Sequence, residues 1–129
     1  MKLISRNPAK GFEKLGEVKV SSDNEIKEKV ALAQYAKSDW KNIGILKRIE
    51  LLKKVYSEFD KRKEELALII TREVGKPITE SRKEIIRGLA YFKHDLENGA
   101  TYLADEVIKE QQATSRIVYE PLGVAAVIL

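Results

Sequence analysis

Apolar residues recur at helical spacing through the middle of this chain, and strand-like patterns flank that helical stretch on both sides. At the N-terminal side, Leu3-Ile4-Ser5 is short and β-compatible, Asn7-Pro8 with Gly11 is turn chemistry, and Gly16-Glu17-Val18-Lys19-Val20 alternates polar with apolar. A small hairpin is predicted. Ser22-Asp23-Asn24-Glu25 then fits a capping box, with Ser at the N-cap and Glu three residues on. Ile26, Val30, Ala33, Tyr35-Ala36 and Trp40 continue at helical period until Asn42 and Gly44 break it. A longer stripe begins near Ile45 and carries Leu46, Ile49, Leu52, Val55-Tyr56 and Phe59, resuming after Asp60 with Leu66, Ile69-Ile70 and Val74. Gly75 sits where a left-handed C-terminal cap belongs, with Pro77 two residues beyond. A third run starts near Thr79 and carries Ile85-Ile86, Leu89, Phe92 and Leu96, with Asn98-Gly99 ending or kinking it unless Tyr102-Leu103 extends it by a turn.

The pattern changes after about Asp105. Val107-Ile108, Ile117-Val118-Tyr119 and Val124-Ala125-Ala126-Val127-Ile128-Leu129 read as strands, with Pro121 and Gly123 separating the last two. The final run is continuously apolar, as a strand is when buried on both faces of a parallel sheet. Such a strand needs a partner reached by a crossover, and exposed alone it invites aggregation. The fold is therefore expected to continue beyond Leu129 or to be completed by another chain.

Composition narrows the class. The 129 residues are 43% hydrophobic and 34% charged, which suits a folded domain and argues against disorder. The net charge of +4 is mild, and signs interleave, as in Asp60-Lys61-Arg62-Lys63-Glu64-Glu65. That pattern marks solvated helix faces with i,i+4 pairs, whereas a nucleic-acid surface needs a one-signed stripe. With no cysteine, the chain has no disulfide, no thiolate metal site and no cysteine nucleophile of its own. No apolar run approaches the roughly 18 residues of a membrane helix. Met1 to Pro8 turns polar too soon for a signal peptide, so a cytoplasmic protein is the expectation.

Several local strings, in order and at matching separations, resemble the aldehyde dehydrogenase family. Asn7-Pro8-Ala9 with Gly11 is similar to that family's Asn-Pro-Ala-Thr-Gly opening, and Trp40 fits near the end of the first helix. Thr71-Arg72-Glu73-Val74-Gly75-Lys76-Pro77 resembles its Glu-x-Gly-Lys-Pro turn, with Glu84-Ile85 at the usual distance behind. Tyr119-Glu120-Pro121-Leu122-Gly123-Val124 resembles its Arg-Glu-Pro-Leu-Gly-Val string. The resemblance covers essentially the whole chain, with the nearest flavour that of the succinate-semialdehyde dehydrogenases.

The resemblance implies an α/β parent fold of which this is the N-terminal part. Residues 1–105 would be the hairpin and outer helices of the cofactor-binding domain, 106–122 strands of an oligomerisation arm, and 123–129 the first strand of a Rossmann-like core, cut short. It implies a parent that oxidises an aldehyde, such as succinate semialdehyde, to its acid with NAD or NADP, working as a homo-oligomer without nucleic-acid or membrane partners. In that family a thiolate attacks the aldehyde, hydride passes to nicotinamide, and activated water releases the acid. The Pro-Trp-Asn-Phe-Pro segment, cofactor glycines, glutamate base and cysteine nucleophile that follow in the family have no counterpart in these residues. The chain alone is therefore expected to be inactive and to bind no cofactor by itself. The competing reading is a non-catalytic helical module that keeps the family's oligomerising surface; an unrelated helical scaffold comes third.

Individual residues carry further expectations. By resemblance, Glu84, Arg87 and Gly88 face the mouth of a substrate funnel, against the plainer reading of a solvated face opposite Ile85, Leu89 and Phe92. Ile128 and Leu129 would offer backbone near the cofactor ribose, or be plain core strand. Lys76 follows a helix C-terminus, where the helix dipole favours a cation, and reads as structural. His94 is the single histidine, so no metal site is expected, and it reads as a surface or partly buried structural residue. His94-Asp95 stands where the family more often has an aromatic pair, which leaves the substrate open.

Overall fold

The computed structural model describes residues 1–128. A hairpin of β1 (Lys2–Asn7) and β2 (Glu13–Lys19) leads into four helices, α1 (Asp23–Asn42), α2 (Gly44–Lys61), α3 (Lys63–Val74) and α4 (Ile78–Tyr102). A second hairpin follows, β3 (Glu106–Lys109) with β4 (Thr114–Ile117). Both hairpins are antiparallel two-stranded ribbons, the first with an irregularity between Ser5 and Arg6.

Local chemistry accounts for most boundaries. At the tip of the first hairpin the buried Asn7 side chain accepts a hydrogen bond from the Ala9 amide at 3.0 Å, closing an Asx turn in which Pro8 fixes φ. The expected capping box forms: Ser22 Oγ accepts from the Glu25 amide, and the Glu25 carboxylate accepts from the Ser22 amide. Gly44, at φ +77°, turns the chain between α1 and α2. Gly75 caps α3 in the left-handed region at φ +81°, its amide donating to the Thr71 carbonyl. Asn98-Gly99 neither ends nor breaks α4, which runs on through Tyr102. The long stripe from Ile45 to Val74 is two helices, because the chain bends at Arg62 (φ −100°, ψ 12°).

Packing centres on α4. Ala67 of α3 and Ser81 of α4 are fully buried, Leu96 nearly so, and Thr71 shares a 2.8 Å hydroxyl hydrogen bond with Ser81. Tyr56 of α2 meets Phe92 of α4 edge-to-face with centroids 5.8 Å apart. Away from these contacts the interior is thin. Helix α1 buries no residue, and its apolar positions Ile26, Val30, Tyr35 and Trp40 all remain exposed. The accessible surface is 10813 Å², against roughly 6,900 Å² for a compact monomer of this mass. The apolar stripes are thus formed but mostly uncovered.

The C-terminal pattern folds differently from its reading. Strand β4 covers Thr114–Ile117, earlier than Ile117-Val118-Tyr119, and residues 118–128 form no strand. The apolar run Val124 to Ile128 finds no ladder among the described residues, and without a paired neighbour an extended segment is not a strand. Leu129 lies outside the described residues.

Candidate functional site

The turn from α3 into α4 brings two of the family-like strings together. A Cβ built on Gly75 would lie 2.8 Å from Pro8 Cγ and 3.3 Å from the Ala9 amide nitrogen. Only glycine both adopts the cap conformation and admits the Asn7-Pro8-Ala9 turn this closely. Ser5 of the same hairpin donates to the Glu73 carboxylate at 3.0 Å, so the hairpin is fastened to the end of α3 by packing and by polar contact. The hairpin thus packs against the turn from which α4 starts.

On α4, Glu84, Gly88 and Phe92 recur every four residues and share one face, with Ile85 and Leu89 beside them. Together with Phe59 of α2 they line an open groove of ≈ 340 Å³. Its walls are apolar. Gly88 forms part of its floor, and a Cβ there would meet nothing within 4 Å. Glu84 stands at one end, where its carboxylate pairs with Lys76 Nζ across the α3–α4 turn. The pair sets a neutralised charge at the groove mouth, and Lys76 is a partner to Glu84, not a free amine.

The expected funnel residues therefore divide. Glu84 and Gly88 line the groove together with Ile85, Leu89 and Phe92, so polar and apolar positions share one surface instead of opposing each other. Arg87 does not line it; at about 100° per residue its side chain leaves α4 roughly 140° from Phe92. It stands nearer Glu80, whose carboxyl is held below the ordinary range first by Lys83, with Arg87 and Lys76 adding to the effect. His94 is exposed, its carbonyl accepting from Asn98 Nδ2 at 2.8 Å and its ring tilted against Tyr102 at 6.1 Å. Among the described residues no group of three His, Cys, Asp or Glu side chains could hold a metal ion. Phe59, which completes the groove from another helix, had only its place in the α2 stripe as a signal.

Ile128 is 94% exposed and in no strand. No described helix is long and apolar enough to cross a membrane.

Comparison with known proteins agrees with this layout. A family model described as the aldehyde dehydrogenase family matches residues 2–129. The NAD(P)+ succinate semialdehyde dehydrogenase of Escherichia coli is 34% identical over 128 residues, 98% of this chain and 27% of that protein. The mitochondrial succinate-semialdehyde dehydrogenase of Rattus norvegicus is 36% identical over 124 residues, 95% of this chain and 23% of that protein. Among solved structures, glyceraldehyde-3-phosphate dehydrogenase from Methanocaldococcus jannaschii, complexed with NADP, superposes with a TM-score of 0.76 at 31% identity, over 84% of this chain and 24% of that one. An aldehyde dehydrogenase from Brucella melitensis does so with 0.79 at 27% identity, over 87% and 23%. The chain spans about a quarter of the length of these relatives. From the N-terminal hairpin through the groove-bearing α4, the chain belongs to the aldehyde dehydrogenase family.

Proposed function

We propose that this chain is the N-terminal part of a cytoplasmic, homo-oligomeric oxidoreductase that converts an aldehyde, with succinate semialdehyde as the leading case, to its carboxylic acid using NAD or NADP. The observation that carries the proposal is the closure of the Asn7-Pro8-Ala9 turn on Gly75, two family-like strings brought together at the turn that leads into the groove-bearing α4. The names of the two succinate-semialdehyde relatives support the substrate class. NAD or NADP, when bound, supplies the hydride acceptor. This chain's own part is positional. Ile85, Leu89 and Phe92 offer the aldehyde an apolar wall, Gly88 leaves it room, and the Glu84–Lys76 pair marks the mouth. Cysteine being absent from the chain, the nucleophile comes from other sequence of the same enzyme. The other strands fit the same division of labour: residues 106–122 serve oligomer contacts, and Gly123 to Leu129 enters a parallel sheet, bringing the Ile128 and Leu129 backbone near the cofactor ribose.

The test replaces the matching quarter of the Escherichia coli relative with residues 1–129. The graft is expected to oxidise succinate semialdehyde with NAD(P) reduction. A graft that folds and oligomerises yet oxidises no aldehyde in a panel of short semialdehydes and neutral aldehydes would contradict the proposal.

A further inference from the structure

Asn98-Gly99 is a turn-forming pair that the fold places inside a helix. Asn98 is the one asparagine of the chain followed by glycine, since Asn7, Asn24 and Asn42 precede Pro8, Glu25 and Ile43. Helix α4 runs through the pair to Tyr102, and Asn98 Nδ2 donates back to the His94 carbonyl at 2.8 Å. Such a bond occupies the side-chain amide without strengthening the helix. Leu96, two residues earlier, is buried and anchors α4, whereas Thr101, Tyr102 and Leu103 are exposed. Beyond Leu96 little holds the end in place. Leu103 closes the helix outside the left-handed region, at φ −104° and ψ 14°, and the last turn carries no basic side chain. The final carbonyls therefore lack both a glycine cap and a cation against the dipole, and Asp95 and Glu97 add like charge close by. An exposed helix end of this kind opens at far smaller cost than the whole fold.

We infer that Asn98 is a self-modification site, at which opening of the last turn of α4 allows deamidation to aspartate or isoaspartate within the otherwise folded chain. In the closed helix the Gly99 amide points to the carbonyl four residues before it and the Asn98 amide to that of His94, so both groups are engaged elsewhere. Once the turn opens, the Gly99 nitrogen attacks Asn98 Cγ. Gly99 offers no side chain to block the approach, and the space where a Cβ would stand is open. The bond from Gly99 nitrogen to Cγ forms, the Cγ–Nδ2 bond breaks, and the Gly99 amide proton departs with Nδ2 as ammonia. Water then opens the cyclic imide, at Cγ to give aspartate or at the Asn98 main-chain carbonyl to give isoaspartate. Either product sets a carboxylate at the negative end of α4, and the His94 carbonyl loses its donor. Isoaspartate also adds a methylene to the main chain, which breaks the helical register. The reaction thus keeps the last turn open and loosens the join between α4 and the second hairpin. The site is separate from the aldehyde-binding reading of α4 and does not depend on it.

The experiment incubates the 129-residue chain at neutral pH and follows its asparagines by peptide mass mapping, with fragmentation that separates isoaspartate from aspartate. Both products should accumulate at position 98, isoaspartate in the larger share, while Asn7, Asn24 and Asn42 persist. Thr101→Arg puts a cation in the last turn and should slow the reaction about two- to five-fold. Gly99→Ala adds the missing Cβ and favours the helix, and should slow it at least about ten-fold. Gly75→Val loosens the opposite end of α4 and should leave the rate unchanged. Amide protection at Tyr102 and Leu103 should fall in Asn98→Asp, which reproduces one product. Conversion at position 98 no faster than at Asn42, or a rate unmoved by Thr101→Arg, would overturn the inference. So would acceleration by Gly75→Val to the rate of the urea-unfolded chain, which would make global unfolding the gate. Undiminished protection in Asn98→Asp would contradict the effect on α4.

Discussion

Pro8 and Gly75, 67 positions apart in sequence, are so close that a Cβ on Gly75 would stand 2.8 Å from Pro8 Cγ. Gly75 also holds a φ of +81°. Two independent penalties therefore meet any substitution. Gly75→Ala should cost at least about 1 kcal/mol from the left-handed backbone alone, and Gly75→Val more, because its branches press the hairpin off the end of α3. Circular-dichroism melts of the two variants beside the parent check this. An Ala variant as stable as the parent would remove the cap and the close approach together.

Gly88 calls for the opposite sign. It is mid-helix with open space where a Cβ would go. Gly88→Ala should therefore stabilise α4 by about 0.5–1 kcal/mol, the usual helix cost of glycine. In the grafted enzyme, Gly88→Leu should fill the groove between Ile85 and Phe92 and raise KM for bulky aldehydes more than for acetaldehyde. Equal effects on both substrates would mean that the aldehyde does not pass this groove.

The N-terminus of α1 should be sensitive to acid. The Glu25 carboxyl is held below its ordinary range, first by Lys19 and then by the Ser22 amide and hydroxyl. A lowered folded-state pKa contributes stability that is present above the unfolded value and lost as pH falls through the folded one. Protection of the Glu25 and Ile26 amides, taken relative to their intrinsic exchange at each pH, should thus fall on acidification below the ordinary glutamate range, and fall less in Glu25→Gln, which has already lost the charge.

These features differ in how far they could be read from the sequence. The Ser22–Glu25 cap, the Gly75 cap and the first hairpin were legible because each is decided within a few residues. The bend at Arg62 was not, since no glycine or proline marks it and the packing of α3 on α4 accompanies it. Glu84, Arg87 and Gly88 were placed together by resemblance; of the three, Glu84 and Gly88 line the groove. Phe59 opposite the groove and Lys76 beside Glu84 are contacts across a helix pair and a turn, which periodicity along one helix cannot report. Val124 to Ile128 has the pattern of a buried strand, but a strand is a property of two segments, and the second is absent among the described residues.

That unpaired run makes a prediction about association. Leu122, Val127 and Ile128 are more than three-quarters exposed, as large apolar side chains rarely are. The 129-residue chain should self-associate in sedimentation velocity more than a version ending at Pro121, because burying each such side chain is worth about 1.5–3 kcal/mol. A clean monomer with residues 123–128 protected from hydrogen exchange would show the run packed within its own chain.

The most direct test of the central claim, that this chain is the positioning part of an aldehyde-oxidising fold, is complementation. Residues 1–129 are mixed with the Escherichia coli relative lacking its matching quarter, and NAD(P) reduction with succinate semialdehyde is followed. Neither piece alone should turn over, this chain because it holds no cysteine. The mixture should recover turnover, and Gly75→Val should diminish the recovery. Stable association of the two pieces without any aldehyde oxidation, or turnover by the 129-residue chain alone, would contradict the account.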